Sequence, residues 1–123
     1  MSAKVLVVDD SALARRRMRE ILEGAGHAVV EADEGMAAIE RYFLEKPDLV
    51  LLDLVMKGMY GLEVLAKIRE IDPTARVIVI SADVQTSSRE MAVTGGAGRF
   101  LTKPPDRDEL LTAVHEALAE PRP

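Results

Sequence analysis

A parallel α/β sheet with helices on both faces is the fold this sequence predicts, and three observations predict it. Short apolar runs rich in Val, Ile and Leu recur along the chain, at Val5–Val8, Ala28–Glu31, Leu49–Leu52, Val77–Ile80 and Phe100–Leu101. Segments of helical periodicity separate them, and strands alternating with helices build a parallel sheet covered on both sides. The runs are continuous rather than alternating, as strands buried on both faces require, and with aromatics at 3% the core has to be aliphatic.

Each element has its own signals. After the first run, Ser11 can cap a helix whose Ala14, Met18, Ile21 and Leu22 share one face, and Gly24 and Gly26 end it. A second helix runs from about Gly35 to Leu44 and stops before Lys46-Pro47, because the residue before proline disfavours helical backbone. The stretch from Lys57 to Gly61 reads as a loop, and Leu62, Leu65, Ala66, Ile68 and Arg69 as a third helix ended by Asp72-Pro73. A more polar fourth helix is expected from about Gln85 to Thr94. The fifth follows Pro104-Pro105, where Asp106 and Glu109 have capping-box spacing, and should turn Leu110, Leu111, Val114 and Leu118 inward. One domain over residues 1–123 is expected, with 119–123 as a flexible tail.

Composition excludes several function classes. A net charge of -5 argues against direct nucleic-acid binding, which needs clustered Lys and Arg. Zero cysteines rule out disulfides, thiolate metal sites and a cysteine nucleophile. The apolar run before Asp9 is too short for a signal peptide or a membrane span, so a cytoplasmic protein without membrane contact is expected.

The chemistry is concentrated at strand ends. Asp9 and Asp10 close the first run and Asp53 closes the third, and ligands of open α/β sheets bind at the carboxyl ends of strands. Two unit charges about 4 Å apart repel by roughly 4 kcal/mol at an effective dielectric of 20, so such a cluster needs protons or a cation. Mg²⁺, a hard cation that prefers oxygen ligands, suits three carboxylates. Ser81 after the fourth run and Lys103 after the fifth reach the same edge.

Acid pair, lone acid, hydroxyl and lysine in this chain order resemble the receiver domain of two-component response regulators, including the chemotaxis-type single-domain regulators. The matching pieces are Val5 to Ser11, Asp53 to Met56 followed by Gly61, Ser81-Ala82, Gly96 to Phe100, and Lys103-Pro104. The resemblance implies a flavodoxin-like doubly wound sheet of strand order 2-1-3-4-5 with five helices. It implies that Asp53 accepts a phosphoryl group from a sensor histidine kinase or a histidine-phosphotransfer protein. Asp9, Asp10, Asp53 and the backbone carbonyl of Val55 would hold Mg²⁺, and Lys103 would supply the fixed cation that the anionic transfer needs. Ser81 and Phe100 would form the switch, with the hydroxyl moving to the phosphoryl group and the ring turning inward. The face made by the fourth helix, fifth strand and fifth helix would then bind a downstream target protein or an output domain. On this reading the chain phosphorylates and dephosphorylates itself without being a multiple-turnover enzyme.

Phe100 lacks the hydroxyl of a tyrosine, so its inward state carries no polar desolvation penalty and should be favoured. The chain departs from the family at Lys57, where proline is usual. Val55 and Asp83 hold the positions that in the family tune the lifetime of the phosphoryl group. A receiver excised from a longer regulator and a Mg²⁺-dependent phosphohydrolase are the alternatives, and the second would need a general acid and a cap domain. A flavin carrier on the same topology conflicts with the charge of Asp9 and Asp10. The Arg15-Arg16-Arg17 run spreads around a helix and reads as a solvated face, although Arg15 and Arg19 share a side that could meet a phosphotransfer partner. His27 and His115 lie far apart in sequence without ligand spacing, and neither is expected to bind metal.

Overall fold

The computed structural model describes residues 2–56, 58–82 and 86–123. Among them strands and helices alternate as β1 (Lys4–Val8), α1 (Ala12–Gly24), β2 (Ala28–Ala32), α2 (Gly35–Glu45), β3 (Leu49–Leu52), α3 (Gly61–Ile71), β4 (Val77–Ser81), α4 (Thr86–Thr94), β5 (Arg99–Thr102) and α5 (Arg107–Ala119). All neighbouring strands are parallel, in the order β2-β1-β3-β4-β5.

The sheet separates two cores because successive side chains of a strand point to opposite faces. Leu6, Val8, Val50, Leu52, Val77 and Val79 pack with Val64, Leu65 and Ile68 of α3 and with Ala38, Tyr42 and Ala92. Val5, Val7, Leu49, Leu51, Ile78 and Ile80 meet Met18 and Leu22 of α1 and Leu110 and Val114 of α5 on the other side. Full burial of such a side chain is worth about 1.5–3 kcal/mol, so the central strands are the stable floor under whatever stands at their ends.

The local signals act as the sequence suggests. Ser11 Oγ accepts the Ala14 N–H at 3.2 Å, and Asp106 Oδ1 accepts the Glu109 N–H at 2.7 Å. Lys46 ends α2 in left-handed backbone, φ 47°, with its N–H on the Tyr42 carbonyl, immediately before Pro47. On α5 the expected inward set shifts by small residues. Leu110 and Val114 are fully buried, Ala113 and Ala117 complete the contact, and Leu111 and Leu118 flank it half-buried. Alanines let the helix axis approach the sheet, which moves the larger leucines to the margins. Gln85, the expected start of the fourth helix, lies outside the described residues. Beyond α5, the Glu120 carbonyl accepts from Arg76 Nη2 at 2.7 Å and the Thr74 carbonyl accepts from Arg122 Nη1 at 3.3 Å. No helix among the described residues is long and apolar enough to cross a membrane.

Candidate functional site

β1 and β3 lie side by side with Val8 opposite Leu52, so the next residue of each strand emerges at the same level. Those residues are Asp9 and Asp53, and the Asp53 N–H donates to the Val8 carbonyl at 3.0 Å. The strand order reverses here, with β2 beyond β1 and β4 beyond β3, which opens the crevice in which doubly wound sheets bind ligands. Asp10 follows Asp9 into the crevice, and carboxylate oxygens of Asp9, Asp10 and Asp53 all lie within 4.8 Å of one another.

The acids differ in environment. Asp9 and Asp53 are buried at 1% and 5% exposure, whereas Asp10 is exposed. Asp9 Oδ1 accepts the Ser11 N–H at 2.9 Å, fixing the turn into α1. Asp53 Oδ1 accepts the Val55 N–H at 3.2 Å. Lys103 Nζ stands 2.6 Å from Asp9 Oδ2 and 3.2 Å from Asp53 Oδ2, bridging two buried carboxylates. Its approach to Asp9 is electrostatic rather than directional, since the buried Oδ2 accepts no well-aligned hydrogen bond.

Burial raises the Asp53 carboxyl above its ordinary range, and neighbouring Asp9 adds to this, while the Val55 N–H and Lys103 pull it down. Burial also acts to lower Lys103, but contacts with Asp9 and Asp53 outweigh it and hold the ammonium above its ordinary range. Among the described residues Lys103 bridges two of the three clustered acids, and the remaining negative charge together with the unaligned Asp9 oxygen fits a hard divalent ion. Asp9, Asp10 and Asp53 offer all-oxygen donors suited to Mg²⁺.

The loop after β3 is built against the acceptor. Gly61 N–H donates to the Leu54 carbonyl at 2.8 Å. A Cβ on Gly61 would sit 2.4 Å from the Asp53 carbonyl oxygen and 2.5 Å from Leu54 Cα, so only glycine allows α3 to start this close to the crevice. Ser81 ends β4 fully buried, and its carbonyl accepts the Lys103 N–H at 2.9 Å. Phe100 lies half-buried at the edge of the α3-side core. Val55 is 58% exposed beside the crevice. Lys57 and Asp83 lie outside the described residues.

Three arrangements escape the sequence pattern. Arg15 and Arg19 do share a side of α1, but Glu31 of β2 holds both: Arg15 Nε is 3.0 Å from Oε1, and Arg19 Nη1 pairs with Oε2. Arg15 Nη1 also donates to the Asp9 carbonyl at 2.6 Å, so this arginine braces the acid turn and is not a free cation for a partner. His27 and His115, distant in sequence, meet with Nε2 atoms 3.0 Å apart. His27 Nδ1 accepts the Ala3 N–H at 3.1 Å, so Nε2 carries the proton and donates to His115, which keeps its lone pair from a metal. Arg89 of α4 stands over the Phe100 ring, 5.0 Å from its centroid. Partners on different elements, with no fixed spacing between them, leave no periodic trace in the chain.

A doubly wound sheet carrying an acid triad and a bridging lysine at its switch point defines a receiver-type signalling domain. The chain belongs to the response regulator receiver domain family, whose sequence profile matches residues 5–115. It is similar to Chemotaxis protein CheY of Bacillus subtilis, 40% identical over 119 residues that cover 96% of this chain and 99% of that protein. Sporulation initiation phosphotransferase F of the same organism is 36% identical over 122 residues, covering 96% of this chain and 95% of the relative. Among solved structures, the CheX-CheY-BeF3-Mg+2 complex from Borrelia burgdorferi matches with a TM-score of 0.91 at 32% identity, covering 95% of this chain and 90% of that one. The family is one of signalling proteins rather than multiple-turnover enzymes.

Proposed function

We propose that this receiver takes a phosphoryl group onto Asp53 from a phosphohistidine of a sensor kinase or phosphotransfer protein and relays that event by changing its α4–β5–α5 face. The observation that carries this reading is Lys103 Nζ held between Asp9 Oδ2 at 2.6 Å and Asp53 Oδ2 at 3.2 Å, at the mouth of the β1/β3 crevice. In the transfer, a bond forms from an Asp53 carboxylate oxygen to phosphorus. The phosphorus–nitrogen bond to the imidazole breaks, and its electron pair returns to the ring nitrogen. Lys103 neutralises charge on the transferring group, and the Val55 N–H orients the Asp53 carboxylate.

Asp9, Asp10 and Asp53, with the carbonyl of Val55, would hold Mg²⁺, which when bound supplies positive charge to the phosphoryl oxygens. Water and the same groups would remove the phosphoryl again, so the domain acts on itself. Beside Lys103 an apolar recess of about 290 Å³ is lined by Leu13, Ala14, Met18, Ile80 and Pro104-Pro105. Leu13 is 78% exposed there, and a donor's helix could pack on this recess while its phosphohistidine enters the crevice. Residues 1–123 would act as one receiver unit in the cytoplasm.

Intact mass spectrometry after incubation with a small acyl-phosphate donor tests the chemistry. One phosphoryl adduct is expected with Mg²⁺ present, and none without Mg²⁺ or in Asp53→Asn. An adduct that survives Asp53→Asn would overturn the assignment of the acceptor.

A further inference from the structure

We infer that Arg89 is a positioning residue for the switch: its guanidinium, stacked over Phe100, holds the ring at the half-buried edge of the core and sets how readily it turns inward. This rests on the switch between Ser81 and Phe100 that the receiver resemblance implies as the route to the changed α4–β5–α5 face, and adds the element of this chain that opposes it.

The register places the parts. Phe100 of β5 lies opposite Val79 of β4, and Ser81 follows Val79 by two residues, hence on the same face of the sheet. Ring and hydroxyl are therefore diagonal neighbours, and space gained on one side is space the ring can enter. Above the ring stands Arg89, 5.0 Å from its centroid and on the first turns of α4. The nearby arginines are engaged differently, Arg99 with Glu116 and Glu120 and Arg107 with Asp108. Arg89 instead offers its charge to the negative face of the ring.

Moving the ring inward separates it from that cation, so the contact favours the ring position seen here. Phe100 has no hydroxyl to keep its edge in water, and the cation over its face takes over part of that outward bias. For an exposed pair, loss of the contact should shift the ratio of inward to edge positions by about two- to fivefold.

The test uses NMR of protein carrying ring-¹³C phenylalanine, which leaves the ring's charge distribution intact. The chain has 2 Phe, so the spectrum holds one switch reporter and one control, the exposed Phe43 of α2. Spectra of wild type, Arg89→Met and Arg89→Lys are compared before and after addition of beryllofluoride with Mg²⁺. Met retains an unbranched apolar stem and removes the charge, while Lys restores a weaker cation. In Arg89→Met the Phe100 resonance should start nearer its beryllofluoride position, and Arg89→Lys should lie between this variant and wild type. All three should reach the same end point with Phe43 unmoved. A Phe100 resonance that shifts with beryllofluoride but starts at the same place in all three proteins overturns the role of Arg89 and leaves the switch standing. A wild-type Phe100 resonance that ignores beryllofluoride while the adduct forms overturns both.

Discussion

Replacing Asp53 by asparagine should stabilise the metal-free protein at neutral pH. Asp9 and Asp53 bring carboxylate oxygens within 4.8 Å of each other, a repulsion of at least about 3.5 kcal/mol at an effective dielectric of 20. Asp10 is exposed, and in water-like surroundings its repulsion at that distance falls to about 1 kcal/mol. Lys103 at 3.2 Å returns about 5 kcal/mol on the first scale, so the pairwise terms nearly cancel. Desolvation then decides. Asp53 is 5% exposed, and an ion so placed forfeits several kcal/mol of hydration. The amide keeps an oxygen for the Val55 N–H and leaves Lys103 on Asp9.

The expected gain is about 1–3 kcal/mol, or a midpoint about 4–12 °C higher for a domain of this size. The pH dependence follows from the raised carboxyl of Asp53. As pH rises, the unfolded chain loses this proton first, so wild-type stability is full below the unfolded carboxylate pKa and declines as pH climbs through the folded one. The asparagine variant lacks this decline, and its advantage should vanish in acid. Thermal and urea unfolding in EDTA between pH 3 and 8 measure the effect, and Mg²⁺ should close the gap by stabilising wild type more than the variant. A variant less stable than wild type at pH 7, or an advantage unchanged in acid, would refute the claim that desolvation governs this site.

Gly61→Ala should cost about 3 kcal/mol, the upper end of ordinary overpacking, because its Cβ meets the backbone of Asp53 and Leu54 at 2.4 and 2.5 Å. Gly24→Ala, with nothing within 4 Å of its Cβ, should be neutral or stabilising by up to about 1 kcal/mol, and urea unfolding compares the two. Lys103→Met leaves Asp9 and Asp53 without their cation. It should destabilise the metal-free protein by about 3 kcal/mol and slow phosphoryl uptake about 100-fold, read by unfolding and by the rate of adduct formation. Burial, followed by the 2.7 Å hydrogen bond to Asp72, pushes Tyr42 up to about 12. Its contribution is complete below pH 10 and lost as pH rises to 12, so wild type should lose about 2 kcal/mol more than Tyr42→Phe across that interval, on top of the loss from the raised Lys103 ammonium that both share.

The sequence determined the parts of this protein that depend on neighbours along the chain. Continuous aliphatic runs commit residues to strands buried on two faces, and Ser11, Asp106 and the Lys46-Pro47 stop act through hydrogen bonds or sterics within a few residues. Asp9, Asp53, Ser81 and Lys103 were legible as site candidates because each stands at the end of such a run. Tertiary structure decided what depends on distance through space. Only the placement of β1 between β2 and β3 puts Asp9 beside Asp53, and only the depth of the crevice buries those two while leaving Asp10 in water. The same holds for Glu31 binding Arg15 and Arg19, for His27 against His115, and for Arg89 over Phe100. Those contacts join separate elements, and the energy of a charge or a ring is set by how close its partner lies and how much water remains between them.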